Sequence, residues 1–345
     1  MYQCKTDTAV VILSYNSFNW HDKFLPGILA EGHGLYDVVV IDNASIDETG
    51  DKVRARFPEV EVIRLPVNKG FTNGYIQGLA QIKARYFVLL SSDFEVTSGW
   101  FQPLHEMMEK HQDVAAVQPK IRYWREKKMF EYAGAAGAFI DILGYPFCRG
   151  RIFFTLEEDH QQYDEPIETF WTSGGCMMIR ASLYHQFGGL DNCFYAHMEE
   201  IDLCWRMKNA GYRVMCEPAS LVYHVGGSVI SYGSPEKIFW NYRNGLILLI
   251  KNLPLYQLLW KLPLRLVLDG IAAIYALSQG RRWELKAILR AHGHFWKGLF
   301  RWFKLRQNSR RFATNPNMKG MYQRSIVWDY FIKSRKTFSK LPKAW

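Results

Sequence analysis

Over the first 120 residues, short β-branched and apolar runs alternate with longer stretches whose apolar positions recur at helical spacing. The pattern predicts strands over residues 8–13, 37–41, 60–65, 86–90 and 115–119, and helices over 47–56, 72–84 and 98–111. Such alternation is the sign of βαβ units, so the expected fold class is α/β, a mainly parallel sheet flanked by helices. Each of the first four strands runs into a polar cluster: Ser14-Tyr15-Asn16, Asp42-Asn43-Ala44-Ser45, Asn68-Lys69-Gly70-Phe71 and Ser91-Ser92-Asp93. Ligands of open α/β sheets bind beyond the carboxyl ends of the strands, so four such clusters describe one site. Any one cluster taken alone is equally ordinary turn chemistry.

Neither G-x-G-x-x-G after the first strand nor G-x-x-x-x-G-K-[ST] occurs in the chain, so the dinucleotide and P-loop phosphate cradles are both absent. A bound phosphate needs another counter-charge, and a metal is the leading candidate. Further along, Glu199-Glu200 opens a helical pattern that closes at Gly211. The helix dipole favours carboxylates in a first turn, so both acids are expected to be ionised, either as proton acceptors or simply as acids suited to a helix start. Asp202, four residues before Arg206, reads as an ion pair on that helix, and Asp47 as the cap of the helix it precedes.

Charge divides the chain. Of the net +10 over 345 residues, residues 240–345 carry 21 Lys and Arg against three acids, a net of +18, which leaves −8 on residues 1–239. Residues 246–277 are strongly apolar, but Lys251, Lys261, Arg265 and Asp269 interrupt them and Pro254 and Pro263 break them, so no membrane-spanning helix is expected. From 281 to 311, residues such as Trp283, Ile288, Phe295, Trp296, Phe300 and Phe303 interleave with Arg and Lys. Basic amphipathic helices of this kind suit an anionic membrane surface, or else they pack on the first region and show solvent a charged face. A nucleic-acid partner is not expected, because no recognised motif is present and the acidic first region would repel a polyanion. The apolar run at 9–13 is too short for a secretory signal and the six cysteines form no C-x-x-C pair, so reduced core thiols and a cytoplasmic location are expected.

Six ordered motifs resemble glycosyltransferase family 2, whose members share the GT-A fold: Val11-Ile-Leu-Ser-Tyr-Asn16, Val40-Ile-Asp-Asn-Ala-Ser-Ile-Asp47, Asn68-Lys-Gly-Phe71, Leu90-Ser-Ser-Asp-Phe-Glu-Val96, Ser173-Gly-Gly-Cys-Met-Met-Ile-Arg180 and Phe194-Tyr-Ala-His-Met-Glu-Glu-Ile-Asp-Leu-Cys-Trp-Arg206. The resemblance runs from about Thr8 to Ser228 and is nearest to the rhamnosyltransferase-like branch of bacterial surface polysaccharide synthesis. It implies a GT-A catalytic domain over 1–235, with a nucleotide-binding half (1–120) and an acceptor and base half (121–235); the charge and aromatic pattern adds a basic, aromatic-rich helical extension over 236–345, expected to associate with the inner face of the cell membrane. It implies an inverting, metal-dependent transfer of a sugar, rhamnose or another hexose or deoxyhexose, from a nucleotide-diphosphate donor to a glycan or lipid-linked saccharide acceptor.

On the same resemblance, Tyr15, Asn16, Asp42 and Asn43 hold the nucleotide, with Ser14, Asn68, Gly70, Phe71 and Ser92 from the same clusters beside them. The family's metal motif is thinned here to Asp93, and His224 stands where the family places a second ligand, for Mn²⁺ or Mg²⁺. The family shows Glu-Asp where this chain has Glu199-Glu200, which makes Glu200 the general base, one methylene longer than usual. Gly174 and Gly175 are expected at the acceptor site, with Trp171 either offering a sugar ring its face or lying in the core. Two other readings stand beside this one. A nucleotidyltransferase-like enzyme would need basic residues in the first loop, and 14–20 holds none; a catalytically weakened GT-A-fold interaction protein would account for the thinned metal motif.

Overall fold

The computed structural model describes residues 1–131, 134–226 and 234–344. Its main sheet has nine strands: β1 (Thr8–Ser14), β2 (Asp37–Asp42), β3 (Glu61–Arg64), β4 (Tyr86–Ser91), β5 (Phe94–Val96), β6 (Val114–Tyr123), β7 (Ile167–Thr169), β8 (Cys176–Arg180) and β9 (Arg213–His224). Their order is β7-β9-β6-β8-β4-β1-β2-β3, with β5 paired to the end of β9. The block β4-β1-β2-β3 is parallel, as the alternating pattern requires. The sheet as a whole is mixed, because β8 runs antiparallel between β4 and β6, and β7 antiparallel to β9.

The parallel strands are apolar on both faces because both faces are covered. Val10, Ile12, Val38, Val40, Val88 and Leu90 point to one side, where they pack with α1 (Phe18–Glu31), α2 (Thr49–Arg56) and α4 (Phe101–Lys110). Their alternate neighbours Val11, Val39, Ile41 and Leu89 point to the other, toward α3 (Phe71–Leu79), α5 (Ala181–Gln186) and α6 (Glu199–Asn209). The helix α1 is not foreseen by the sequence pattern: Pro26 lies inside it and reads as a break, but buried His21, Phe24, Leu25 and Ile28 anchor the helix to the sheet regardless. The cap position of α2 is taken by Glu48 rather than Asp47, which lies one residue earlier with its carboxylate accepting from the Thr49 N–H at 3.0 Å. All six cysteines are free and buried.

The C-terminal region forms α7 (Pro235–Asn252), α8 (Leu255–Ser278), α9 (Arg282–Lys297) and α10 (Leu299–Arg310). The core does not pause near residue 235. Leu246 through Ile250 are fully buried in the same cluster as the sheet, together with Phe295 and Trp302. A second, five-stranded sheet even recruits the tail, with Met321–Tyr322 parallel to Ala138–Asp141. The expected Asp202–Arg206 pair forms at 3.0 Å, but wholly buried, and Lys251 (2.8 Å) and Asn252 (2.8 Å) of α7 complete the hydrogen bonding of Asp202.

Helix α8 reverses the usual polarity of a surface helix. The charged residues that interrupt its apolar sequence are the buried ones: Lys261, Arg265 and Asp269 point inward, with Arg265 donating to Asp269 at 2.9 Å and Tyr145 donating to the same oxygen at 3.0 Å. Its apolar residues point outward, among them Tyr256, Leu259, Val267, Ile271 and Ile274, each more than half exposed. Pro263 lies within the helix without ending it. No helix among the described residues is long and apolar enough to cross a membrane.

Candidate active site

The sheet registers carry the polar clusters to one edge. Asp42 at the end of β2 is in register with Ser14 of β1 and Arg64 of β3, and Leu13 of β1 with Ser91 of β4. Because β8 is antiparallel to β4, its starting segment Gly174-Gly175 arrives at the same edge, and the Ser91 N–H donates to the Gly175 carbonyl at 2.9 Å.

Loop-to-loop bonds tie the clusters together. The Asn16 side chain accepts from the Ile46 N–H (2.9 Å), and Ser45 accepts from the Asn16 N–H (3.0 Å). Asn43 donates to Asn68 (3.0 Å) and to the Gly70 carbonyl (3.3 Å). Asp42 is fully buried; one carboxylate oxygen accepts from the Ser45 N–H, and the other has no hydrogen-bond donor, with Arg64 at 3.7 Å. A cleft of about 330 Å³ opens beside it, lined by Ala44, Ser45, Arg64, Leu65 and Pro66. A buried acceptor left open next to a cleft is an arrangement for binding a donor group such as a base imide or ribose hydroxyl. Tyr15 is exposed at this edge, while Ser14 faces inward, its hydroxyl held by Ser17 (2.6 Å) and His21 (2.8 Å). Burial lowers the His21 imidazole to about 4, so that bond is a neutral, structural one. Gly70 has φ +91°, and a Cβ there would sit 2.5 Å from the Tyr195 ring, so glycine is what lets that ring close over the loop. Phe71 opens α3 with its ring edge on Tyr75.

Asp93 and Ser92 are buried at the turn between β4 and β5. His224, the last residue of β9, is in register with Phe94, and their rings stack at 4.3 Å. The imidazole lies between two carboxylates: Nε2 is 3.2 Å from Asp93 and Nδ1 is 3.2 Å from Glu131. Burial works against its charge, but Glu131 and Asp93 outweigh that and hold its pKa at about 10. This arrangement fits a divalent cation. Two ligands at right angles, each about 2.1 Å from one ion, stand about 3 Å apart, as Asp93 Oδ2 and His224 Nε2 nearly do, and a carboxylate behind the far imidazole nitrogen is the usual support of a metal-bound histidine. Glu131 went unnoticed in the sequence, where its only sign is an acid set in the apolar run 129–139. Gly227 and Ser228, at the end of the stretch that resembles the family, lie outside the described residues.

Glu199 and Glu200 open α6 as expected, at the end of a loop in which Tyr195, His197 and Met198 all have positive φ. Their ionisation departs from expectation. Glu199 is buried and Glu200 half-buried, and in each Oε2 has no hydrogen-bond partner. Burial raises Glu199 well above the carboxylate range, and the neighbouring Glu200 adds to the shift; burial raises Glu200 to about 7 despite backbone N–H groups that pull it down. Desolvation thus overrides the helix dipole. Gly174 faces Glu200, where a Cβ would be 3.7 Å from the glutamate side chain, and a Cβ on Gly175 would be 2.9 Å from the Phe94 ring. The two glycines are therefore the spacer between the Glu200 carboxyl and the Asp93 turn. Trp171 does not line this space: it is buried and gives its indole N–H to the Phe139 carbonyl at 2.7 Å. Besides Tyr15, an exposed aromatic at this edge is Tyr195, stacked on Trp240 of α7 at 5.0 Å, a pair that motif reading passed over.

Residues 9–188 match the sequence pattern described as "Glycosyl transferase family 2". The chain is 22% identical, over 82% of its length and 98% of the relative's, to the N-acetylglucosaminyl-diphospho-decaprenol L-rhamnosyltransferase of Mycobacterium tuberculosis. Among solved structures it is similar to the mannosyltransferase PcManGT of Pyrobaculum calidifontis in complex with GDP-Man and Mn²⁺ (TM-score 0.52, 15% identity, 91% of this chain and 87% of that one). It is also similar to Staphylococcus aureus TarS 1-349 in complex with UDP (TM-score 0.51, 14% identity, 89% and 90%). The architecture is that of the GT-A glycosyltransferases, and the chain belongs to glycosyltransferase family 2.

Proposed function

We propose that the protein is an inverting glycosyltransferase that moves a sugar, rhamnose or a related hexose or deoxyhexose, from a nucleotide-diphosphate donor to a glycan or lipid-linked saccharide in cell-surface polysaccharide synthesis. The observation that carries this reading is the Glu200 carboxyl, half-buried, with one oxygen unpartnered and its pKa pushed up by burial to about 7, separated from the Asp93 turn by two glycines. A base poised near the working pH combines the right protonation state with useful driving force.

In this reading Glu200 takes the proton of an acceptor hydroxyl as its oxygen bonds to the anomeric carbon, and the bond from that carbon to the diphosphate breaks with its electrons on the phosphate. One displacement inverts the centre, and no nucleophilic carboxylate is required, unlike a double displacement. Asp42 and Arg64 bind the nucleoside part, and Gly70 and Tyr195 close over it. Asp93 and His224 are the residues to hold a divalent cation, which would supply positive charge against the leaving diphosphate. Glu131 orients the imidazole.

The membrane part of the reading rests on α8, whose apolar face is turned outward within the basic region, as expected of a helix lying in the headgroup layer of the cytoplasmic leaflet. The test of function is incubation with a panel of nucleotide sugars, Mn²⁺ and lipid-linked saccharides, with the anomeric configuration of the product read by NMR. Inversion with a dTDP-, UDP- or GDP-linked donor is the expected result; retention, or release of nucleotide with no donor, would overturn the proposal.

A further inference from the structure

A cavity of about 370 Å³ lies between the C-terminal end of α6, the start of α8 and the tail, lined among others by Asn209, Tyr256, Trp260, Lys261, Arg310 and Met318. It is not the sugar-transfer site: Asn209 and Glu200 stand at opposite ends of α6, roughly 14 Å apart along its axis. Its chemistry is one-sided. None of the residues lining it is acidic, and among the described residues no carboxylate stands within ion-pair distance of Lys261 or Arg310, although Lys261 is only 2% exposed. Lys261 gives a hydrogen to Gln257 (2.7 Å) and Arg310 gives one to the Asn252 carbonyl (2.9 Å), neither of which neutralises a charge. The Asn209 side chain is 1% exposed and its Nδ2 has no acceptor. A buried donor without an acceptor and a desolvated cation without an anion are each costly, and one anion in the cavity would satisfy both.

The cavity opens beside an apolar surface. Tyr256 and Trp260 line it and also begin the outward face of α8, which continues through Leu264, Val267, Ile271 and Ile274. A volume of this size takes a phosphorylated glycerol but not the chains attached to it. We propose that the cavity binds the phosphate-bearing headgroup of an anionic glycerophospholipid, with Lys261, Arg310 and the Asn209 amide on the phosphate and the acyl chains leaving along the apolar face of α8. The inference rests on the reading that this face lies on a membrane.

The test uses the full chain and two kinds of probe. Calorimetry measures binding of monomeric dihexanoyl-phosphatidylglycerol, dihexanoyl-phosphatidylcholine, glycerol phosphate and inorganic phosphate. Flotation compares vesicles of phosphatidylcholine with vesicles containing phosphatidylglycerol. The wild type should favour the short-chain phosphatidylglycerol over the choline lipid by about tenfold or more, as a charge-assisted contact warrants. Lys261→Met should abolish the preference. Met318→Trp, which fills the cavity without changing a charge, should do the same and guards against a misfolded lysine variant. A preference surviving both substitutions overturns the proposal, and so does inorganic phosphate competing as well as glycerol phosphate, because the site would then take a free anion. Vesicle binding with no preference for phosphatidylglycerol sinks the headgroup site and leaves the membrane reading standing. Tight binding of the short-chain lipid without vesicle flotation does the reverse.

Discussion

The side-chain amide of Asn244, in α7, donates to the His197 carbonyl at 2.7 Å, and the same nitrogen reaches the Ala196 (2.9 Å) and Phe194 (3.0 Å) carbonyls. One buried residue of the C-terminal region thus fixes the left-handed loop that delivers Glu199 and Glu200. Asn244→Ala should cost about 1–3 kcal/mol, the usual penalty for buried polar groups left unsatisfied, and should lower turnover more than donor affinity. Denaturation and steady-state kinetics check it; a variant with unchanged turnover would remove the clamp from the active site.

Glu200→Gln preserves shape but cannot accept a proton. Turnover should fall by roughly 10² to 10⁴, with donor affinity nearly unchanged. In the wild type, turnover should rise with pH through about 7 as the carboxyl ionises. The check is a pH–rate profile, and one flat between pH 6 and 8 would count against Glu200 as the base.

Glu199 makes a separate prediction about stability. Its folded-state pKa is raised, so the folded protein holds that proton more tightly than the unfolded chain does. The stabilisation is complete below the ordinary glutamate value of 4.5 and is lost as pH climbs toward the folded-state value. Glu199→Gln keeps the neutral form at every pH. It should match wild type near pH 4 and be the more stable near pH 8, by on the order of 1 kcal/mol or more, and so unfold at a higher temperature there. An equal difference at both pH values in calorimetric scans would contradict the burial argument.

Asp93→Asn should abolish most Mn²⁺-dependent strengthening of donor binding, since it removes the one carboxylate of Ser91-Ser92-Asp93. Chelation of the wild type should have the same effect. Glu131→Gln should act more mildly, lowering metal affinity by about 10- to 100-fold, as loss of a histidine's supporting carboxylate does. Titration calorimetry with and without Mn²⁺ reads all three, and metal-independent donor binding in the wild type would take Asp93 and His224 out of the metal role.

The edge of β4-β1-β2-β3 was legible because period and punctuation agreed there: β-branched runs such as Val38-Val39-Val40-Ile41 end in Asp42-Asn43, and the registers bring these ends together. Local pattern could not reveal what distant segments do to a residue. Trp171 was ambiguous until the sheet around Phe139 closed over it, and the ionisation of Glu199 depends on enclosure by other elements. Glu131 gains meaning only when β9 carries His224 to it. Helix α8 is the plainest case, since periodicity shows two faces without saying which is inside, and its charged face turned out to be the buried one.

The Asp202–Lys251 contact imposes an order in time. Asp202 sits within α6, fully buried; Arg206 answers it from the same helix, but the second cation on the same oxygen, Lys251, is encoded 49 residues later. At roughly 5–20 residues per second of synthesis, that gap lasts about 2–10 s. Late in that interval, once His224 has been made, a growing chain has every residue of the site described above except those of α7, yet lacks the second cation that seals α6 against the sheet. The buried bonding of Asp202 is therefore completed only when α7 emerges, and a chaperone or a stalled ribosome acting before then would meet α6 without its Lys251 and Asn252 partners.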